Sequence, residues 1–421
     1  MRRVILAVVL LGMSAHAAEA QPFSSGSTGF DGPFDWATKC PTASACYVTL
    51  PYSGTLNYTT INVPVGKTVY ILPNIRNTPA TILATLDVRI DGTLEVRSGW
   101  DGIRGTMDRR LPGAGGYPGG KGGPGLGPGG GVAANGRWVG PISLVPLVGG
   151  SGGGSINGSG GGGGGALLLA SSGKISISGT ILADGSYTGG SSFGSGGAIR
   201  IVANEVAITT SGQLYARCGG ISGYPDNDGV ILVETPTDKF IWGGYSQPPI
   251  IPSTINPVLI PTSPPMLTIV SIGGYAVPAY SGVDPRVIDL LLPRQLADPL
   301  SVVVHASGVP VGTTVSLTVN PSTGVTSTPV ALTGTLESSS ATLSISGVSR
   351  SGLSYIFVYT TFDVAQGAGS GNPPGPDHVA SVHLEAAPGG ATQMTLLRDD
   401  GSAVDASRLP AAFLERVGYR R

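Results

Sequence analysis

Residues Ala166–Gly185 read ALLLASSGKISISGTILADG, and residues Ala198–Gly219 read AIRIVANEVAITTSGQLYARCG. Laid over one another, Leu167 and Leu169 fall on Ile199 and Ile201 at an offset of 32. Ile175 and Ile177 fall on Val206 and Ile208 at 31, and Ile181 and Ala183 fall on Leu214 and Ala216 at 33. Each unit is three short runs of alternating apolar and polar residues, the period-two pattern of strands with one buried face. A partial earlier unit runs through Leu86, Val88, Ile90, Leu94 and Val96, and another begins at Ile231 and Val233. One unit cannot bury its apolar face alone, but stacked units can. The expectation is an all-β chain with a short right-handed parallel β-helix over residues 58–246.

Two Gly-rich insertions follow the third strand of a unit, so both should leave the same edge. The shorter lies between Gly185 and Ala198. The longer, residues 98–165, carries GAGGYPGGKGGPGLGPGGG and SGGGSINGSGGGGGG, and about half its residues from Gly113 onward are glycine. Glycine loses the most backbone entropy on ordering and buries little apolar surface. A flexible flap is therefore expected. The alternative is a packed, polyproline-II-like layer pinned by Tyr117, Trp138 and the apolar run Ile142 to Val148.

The flanks complete the plan. Arg2 and Arg3 precede ten apolar residues, Val4 to Met13, and Ala18-Glu19-Ala20 has the form of a cleavage site. Residues 1–20 read as a signal peptide for the general secretory pathway, giving a secreted or cell-surface protein with no membrane span after cleavage. Residues 21–57, with Phe23, Phe30, Phe34 and Trp36, read as an N-terminal cap. Cys40 and Cys46, with five residues between them in an exported chain, are expected to form a disulfide. Cys218 alternates with Leu214 and Ala216 and reads as a small core residue. Pro-rich residues 247–265 form a linker. Evenly spaced short strands over 266–363 indicate an Ig-like β-sandwich. Residues 364–421 hold a linker, a hairpin from Val379 to Leu397, and a basic tail containing Arg408, Arg416, Arg420 and Arg421.

Composition excludes some functions. Removing Arg2, Arg3 and Glu19 leaves 22 basic and 24 acidic residues, a net charge of −2, which does not favour nucleic acid. Only 12% of residues are charged. Past the signal, the histidines are His305, His378 and His383, and their spacing matches no metal motif. No catalytic residues, metal ligands or cofactors are assigned. Asp87, Asp91 and Glu95 with Arg89 and Arg97 read as a solvated outer face, and Asp226-Asn227-Asp228-Gly229 as a turn. The best candidates for ligand contact are Trp100, Asp101 and Arg109 at the start of the long insertion, where a sugar could stack on the indole, together with Trp138.

The run from Gly160 to Gly185, followed by Gly196 to Gly220, resembles the Gly-rich β-helix repeats of a broad, mostly uncharacterised group of exported bacterial proteins. Met266 to Phe362 resembles the Ig-like module that often follows such repeats. The wider fold is similar to pectin-lyase-like β-helices, but their catalytic Asp, His and Arg signatures are not found here. The resemblance therefore implies fold and not activity. The functional expectation is a non-catalytic structural or adhesive surface protein, with extracellular polysaccharide or other surface proteins as partners. Alternatives are a glycan-binding protein and a polysaccharide-active β-helix enzyme with a degenerate site.

Overall fold

The computed structural model describes residues 22–41, 43–74, 76–101, 106–127, 129–131, 133–145, 147–188, 192–256, 265–278, 290–296, 298–319, 325–346, 348, 354, 356–364, 378–388, 392–404, 409–410 and 413. The expected signal peptide and the arginines of the basic tail lie outside the described residues. Among the described residues the chain is nearly all β, with a four-residue helix, Trp36–Lys39, and 3-10 turns at Cys218–Gly220 and Pro225–Asn227.

Successive passes of chain build two parallel sheets. The first orders Phe34–Asp35, Ile61–Val63, Val88–Ile90, Ala166–Ile177, Ala198–Ile208, Val230–Glu234 and Ile250–Ser253 side by side. The second orders Ala45–Thr49, Thr68–Leu72, Thr93–Glu95, Thr180–Leu182, Gln213–Tyr215 and Tyr245–Gln247. Registers place like residues over like: Ile90 on Ile177 on Ile208, and Leu94 on Ile181 on Leu214. These side chains, with Leu169, Ile201 and Val233, form one buried cluster. Each fully buried aliphatic side chain contributes roughly 1.5–3 kcal/mol.

Four details differ from the sequence reading. The first two strands of each unit run together into Ala166–Ile177 and Ala198–Ile208, bent by a register shift between Ser171 and Lys174. The earlier unit is complete, because Ala80–Ala84 pairs with Leu167–Ser171; Leu86, expected inside, is exposed in the turn that follows. Glu95, expected on a solvated face, is 4% exposed and paired with Arg97. Parallel pairing also extends beyond 58–246. Phe34–Asp35 and Ala45–Thr49 are its outermost strands at one end, and Ile250–Ser253 pairs with Ile231–Glu234 at the other. Cys40 is disulfide-bonded to Cys46 of the strand Ala45–Thr49, and Cys218 is a buried free thiol.

The described strands between Met266 and Leu397 form two antiparallel sheets. One is built on Met266–Ile272, Leu300–Ser307 and Ser339–Ile345, the other on Thr314–Val319, Ile356–Asp363, Ser381–Ala386 and Gln393–Leu397. Leu267, Val304 and Leu343 of one sheet share a buried cluster with Leu317, Val358 and Leu384 of the other. The expected hairpin is present, and Ser381–Ala386 adds it to the second sheet through Ile356–Asp363.

The described residues of the long insertion form a packed layer, not a flap. In Gly160–Gly165, Gly160 and Gly163 donate to the Gly120 and Tyr117 carbonyls at 2.7 and 2.9 Å. Gly161 and Gly164 donate to Ser192 and Ser195, each at 2.9 Å, and Gly162 and Gly165 to Arg109 and Val96. Carbonyls repeat the rule: Gly161 and Gly164 accept from Gly153 and Gly150, both at 2.8 Å. Gly160 and Gly163 thus address one segment, Tyr117 to Gly120, and Gly161 and Gly164 another, Ser192 to Ser195, the threefold period of a polyproline-II-type helix with no internal hydrogen bonds. Backbone groups that a buried loop would orphan are satisfied by adjacent segments. A β-carbon on Gly160, Gly161 or Gly163 would stand within 1.9 Å of a neighbouring carbonyl oxygen. These close approaches and the hydrogen bonds between segments offset the ordering cost that pointed to a flap. The anticipated apolar run completes the anchoring. Leu144 packs on Ala166, Ala198 and Leu232 of the parallel sheet, Val145 enters the core of the antiparallel sheets, and Val148 joins Tyr117, Leu126 and Phe357.

Candidate functional site

The Gly-rich layer brings loop tips together at its outer end. Gly99 N donates to the Leu111 carbonyl at 2.8 Å, closing a loop in which Trp100–Asp101 pairs antiparallel with Thr106–Met107. Arg109 follows on the same loop. Its carbonyl accepts from Gly162 N, and from the Ser186 hydroxyl in a short hydrogen bond. Its exposed guanidinium donates from Nη1 to the Tyr187 carbonyl at 2.7 Å. Asp108 and Arg110 form an ion pair at 2.7 Å beside it.

Tyr187 is bridged to Phe193 across the shorter insertion, with ring centroids 4.8 Å apart, and Phe193 meets Tyr224 at 4.7 Å. Tyr187 and Tyr224 are 37% and 39% exposed, enough for both rings to meet a partner from solvent. Three loops are fastened beneath them. Asn135 Oδ1 accepts from Phe193 N at 2.9 Å, Asn227 Nδ2 donates to the Gly136 carbonyl at 2.9 Å, and Gly219 N donates to the Gly194 carbonyl. Gly219 has φ +60°, and a β-carbon there would strike Phe193 Cδ1 at 2.4 Å, so the aromatic ring requires glycine beneath it.

Of the four sequence candidates, Trp100, Asp101 and Arg109 share one loop at this end. Trp138 does not belong with them. It is half-buried against Ala166, Ala198 and Leu232, and its Nε1 donates to the Val148 carbonyl at 3.1 Å. Its role is to fasten the insertion to the parallel sheet. The residues missed from sequence are Tyr187, Phe193 and Tyr224. Their available signal was position: aromatic residues in both loops that follow the third strand of successive units.

A polar network underlies this end. Asp184, 2% exposed, accepts from Arg217 N at 2.6 Å and from Arg217 Nη2 at 2.7 Å. The Arg217 guanidinium lies 3.9 Å from the Tyr215 ring centroid. Burial works against its charge, but hydrogen bonds and attraction from Asp184 outweigh this and raise its pKa. Asp228 accepts from Cys218 N and Gln247 Nε2; burial raises its pKa against those bonds. Burial, opposed by Arg97, likewise raises Glu95. Among the described residues, no group of three or more His, Cys, Asp or Glu side chains is arranged to hold a metal ion.

Comparison with protein-family models, with curated proteins and with solved structures gave no match to this chain. No helix among the described residues is long and apolar enough to cross a membrane.

Proposed function

We propose that this chain is an exported, non-catalytic structural or adhesive protein, whose Gly-rich layer holds a cluster of loop tips rigid for contact with another surface. One observation carries this reading: the threefold hydrogen-bonded lattice around Gly160–Gly165, which fixes the loops bearing Arg109, Tyr187, Phe193 and Tyr224. A preorganised surface loses little entropy on binding. The carboxylates beside these loops are engaged by arginines, Asp108 by Arg110 and Asp184 by Arg217, which supports a structural use of charge. We read the parallel sheets as turns of a short right-handed β-helix and the antiparallel pair as an Ig-like sandwich. The stacked registers support the first, and the shared core of two antiparallel sheets supports the second. Antibody detection in fractionated cells and medium tests export: signal at the surface or in the medium is expected, and confinement to the cytoplasm would sink the proposal. Wild-type protein should also coat cells or matrix, and Arg109→Ala/Tyr224→Ala should do so at least tenfold more weakly.

The second reading, glycan binding, is favoured by the exposed Tyr187 and Tyr224 rings, joined through Phe193, beside a guanidinium. Aromatic faces stack on sugars, and arginine supplies hydrogen-bond donors. A glycan array probed with wild type and Tyr187→Ala separates this reading from the first; an empty array removes it.

A further inference from the structure

The seam between the Gly-rich layer and the second antiparallel sheet encloses an acid. Along Ile356–Asp363 and Ser381–Ala386, Val358, Leu384 and Ala386 point into the antiparallel core. Phe357, Tyr359 and Glu385 therefore occupy the opposite face, where Phe357 and Ala387 pack against Tyr117, Leu126 and Val148 of the insertion. Glu385 lies directly across from Tyr359 on one side and Gln393 on the other.

We infer that this seam is a pH-sensitive joint, closed while the Glu385 carboxyl carries its proton and loosened when it gives the proton up. The groups around it are accounted for element by element. The insertion presents Tyr117, whose phenol is raised well above its ordinary value by burial and by the Glu385 charge. The neighbouring strand presents Tyr359. On its own strand, His383 accepts from or donates to Thr361 Oγ1 at 2.9 Å, and burial lowers its pKa, so it is neutral near pH 7. The remaining strand places Gln393, an uncharged residue, opposite Glu385 in register. No ion pair or hydrogen bond reaches the Glu385 carboxyl among the described residues. Glu385 is half-buried on this face. Burial pushes its pKa from 4.5 up to about 7.

The direction follows from linkage. The closed seam holds the proton more tightly than the open one, so its contribution is complete below pH 4.5 and is lost as pH rises through about 7. The closing equilibrium should weaken roughly 100-fold between pH 4.5 and 8.5. Small-angle scattering and limited proteolysis of the full chain, at pH 4.5 and 8.5, test this. The wild type should expand at the higher pH and become cleavable between residues 110 and 160, while Glu385→Gln stays compact and resistant at both. An unchanged wild type, or a Glu385→Gln variant that responds as wild type does, would overturn the inference. Should that variant fail to fold, carbon-13 carboxyl titration of the wild type decides: a glutamate titrating near 7 supports the joint, and ordinary titration of every glutamate removes it.

Discussion

A β-carbon on Gly164 would stand 2.0 Å from the carbonyl oxygen of Ala183. Real β-carbons essentially never come that close, and the atom in the way is backbone. Gly164 N also donates to Ser195, and its carbonyl accepts from Gly150, so the segment cannot slide aside without breaking ladder bonds. Gly164→Ala should cost about 3 kcal/mol or prevent folding, at the upper end of overpacking penalties. Gly158, in the same run, is the control. It is exposed, and a β-carbon there meets only the Ser155 hydroxyl at 3.2 Å. Gly158→Ala should change the urea midpoint little. Equal effects from the two variants would mean that the lattice does not form.

Trp138 was a plausible ligand residue in the sequence and is a fastener in the fold. Its ring covers Ala166 and Ala198, and its indole nitrogen bonds the Val148 carbonyl. Trp138→Ala should cost about 2–3 kcal/mol, below the usual tryptophan truncation because the ring is only half-buried. Trp138→Phe should cost about 1 kcal/mol, on the order of one neutral hydrogen bond. Thermal melts measure both. Binding on a glycan array should match wild type, and selective loss of binding at unchanged stability would return Trp138 to the site.

The columns of the parallel sheets were legible because stacking leaves a periodic trace. Ile177 and Ile208, an offset of 31 apart, pair directly in the structure. Ala80–Ala84 was missed because Ala80, Thr81 and Ala84 make a weak apolar pattern beside the stronger Val88 and Ile90. The Gly-rich layer was readable only as the alternative to a flap, with Tyr117, Trp138 and Ile142 to Val148 as its anchors, for a different reason. Its order lies in backbone hydrogen bonds between distant segments, and glycine leaves no side-chain pattern to read. The aromatic cluster inherits that difficulty, since Phe193 and Tyr224 are far apart in sequence and only the fastened loops bring their rings to 4.7 Å.

Arg200 and Glu234 form an ion pair at 2.6 Å, with side chains 0% and 2% exposed. They sit on adjacent strands of the first parallel sheet, on its outer side. Arg200 is flanked in register by Leu168 and Leu232, and Glu234 also accepts from Asn256 N at 2.8 Å. Removing one partner strands a buried charge, which costs about 3–5 kcal/mol. Arg200→Met should show this loss in urea unfolding. Arg200→Met/Glu234→Leu should recover much of it, since two apolar residues need no partner. A double variant no more stable than the single would show that the pair is not the source of the cost.

Cys218 gives a prediction in which chemistry reports the packing. The side chain is fully buried, and its backbone amide donates to Asp228 at 2.7 Å. Burial first, and the Asp228 charge second, push the thiol from 9.0 up to about 12. At pH 8 the thiolate fraction is then roughly one in ten thousand, so alkylation should be very slow in the native protein and rapid in urea. The native thiol keeps its proton where the unfolded one would lose it. Its contribution to stability is thus complete below pH 9 and falls as pH rises towards 12. Cys218→Ala should flatten the stability profile over that interval. Mass spectrometry after iodoacetamide should find Cys218 unmodified in the folded chain and Cys40 and Cys46 protected as a disulfide. Rapid labelling of Cys218 at pH 8 under native conditions would show that this end of the parallel sheets opens to solvent.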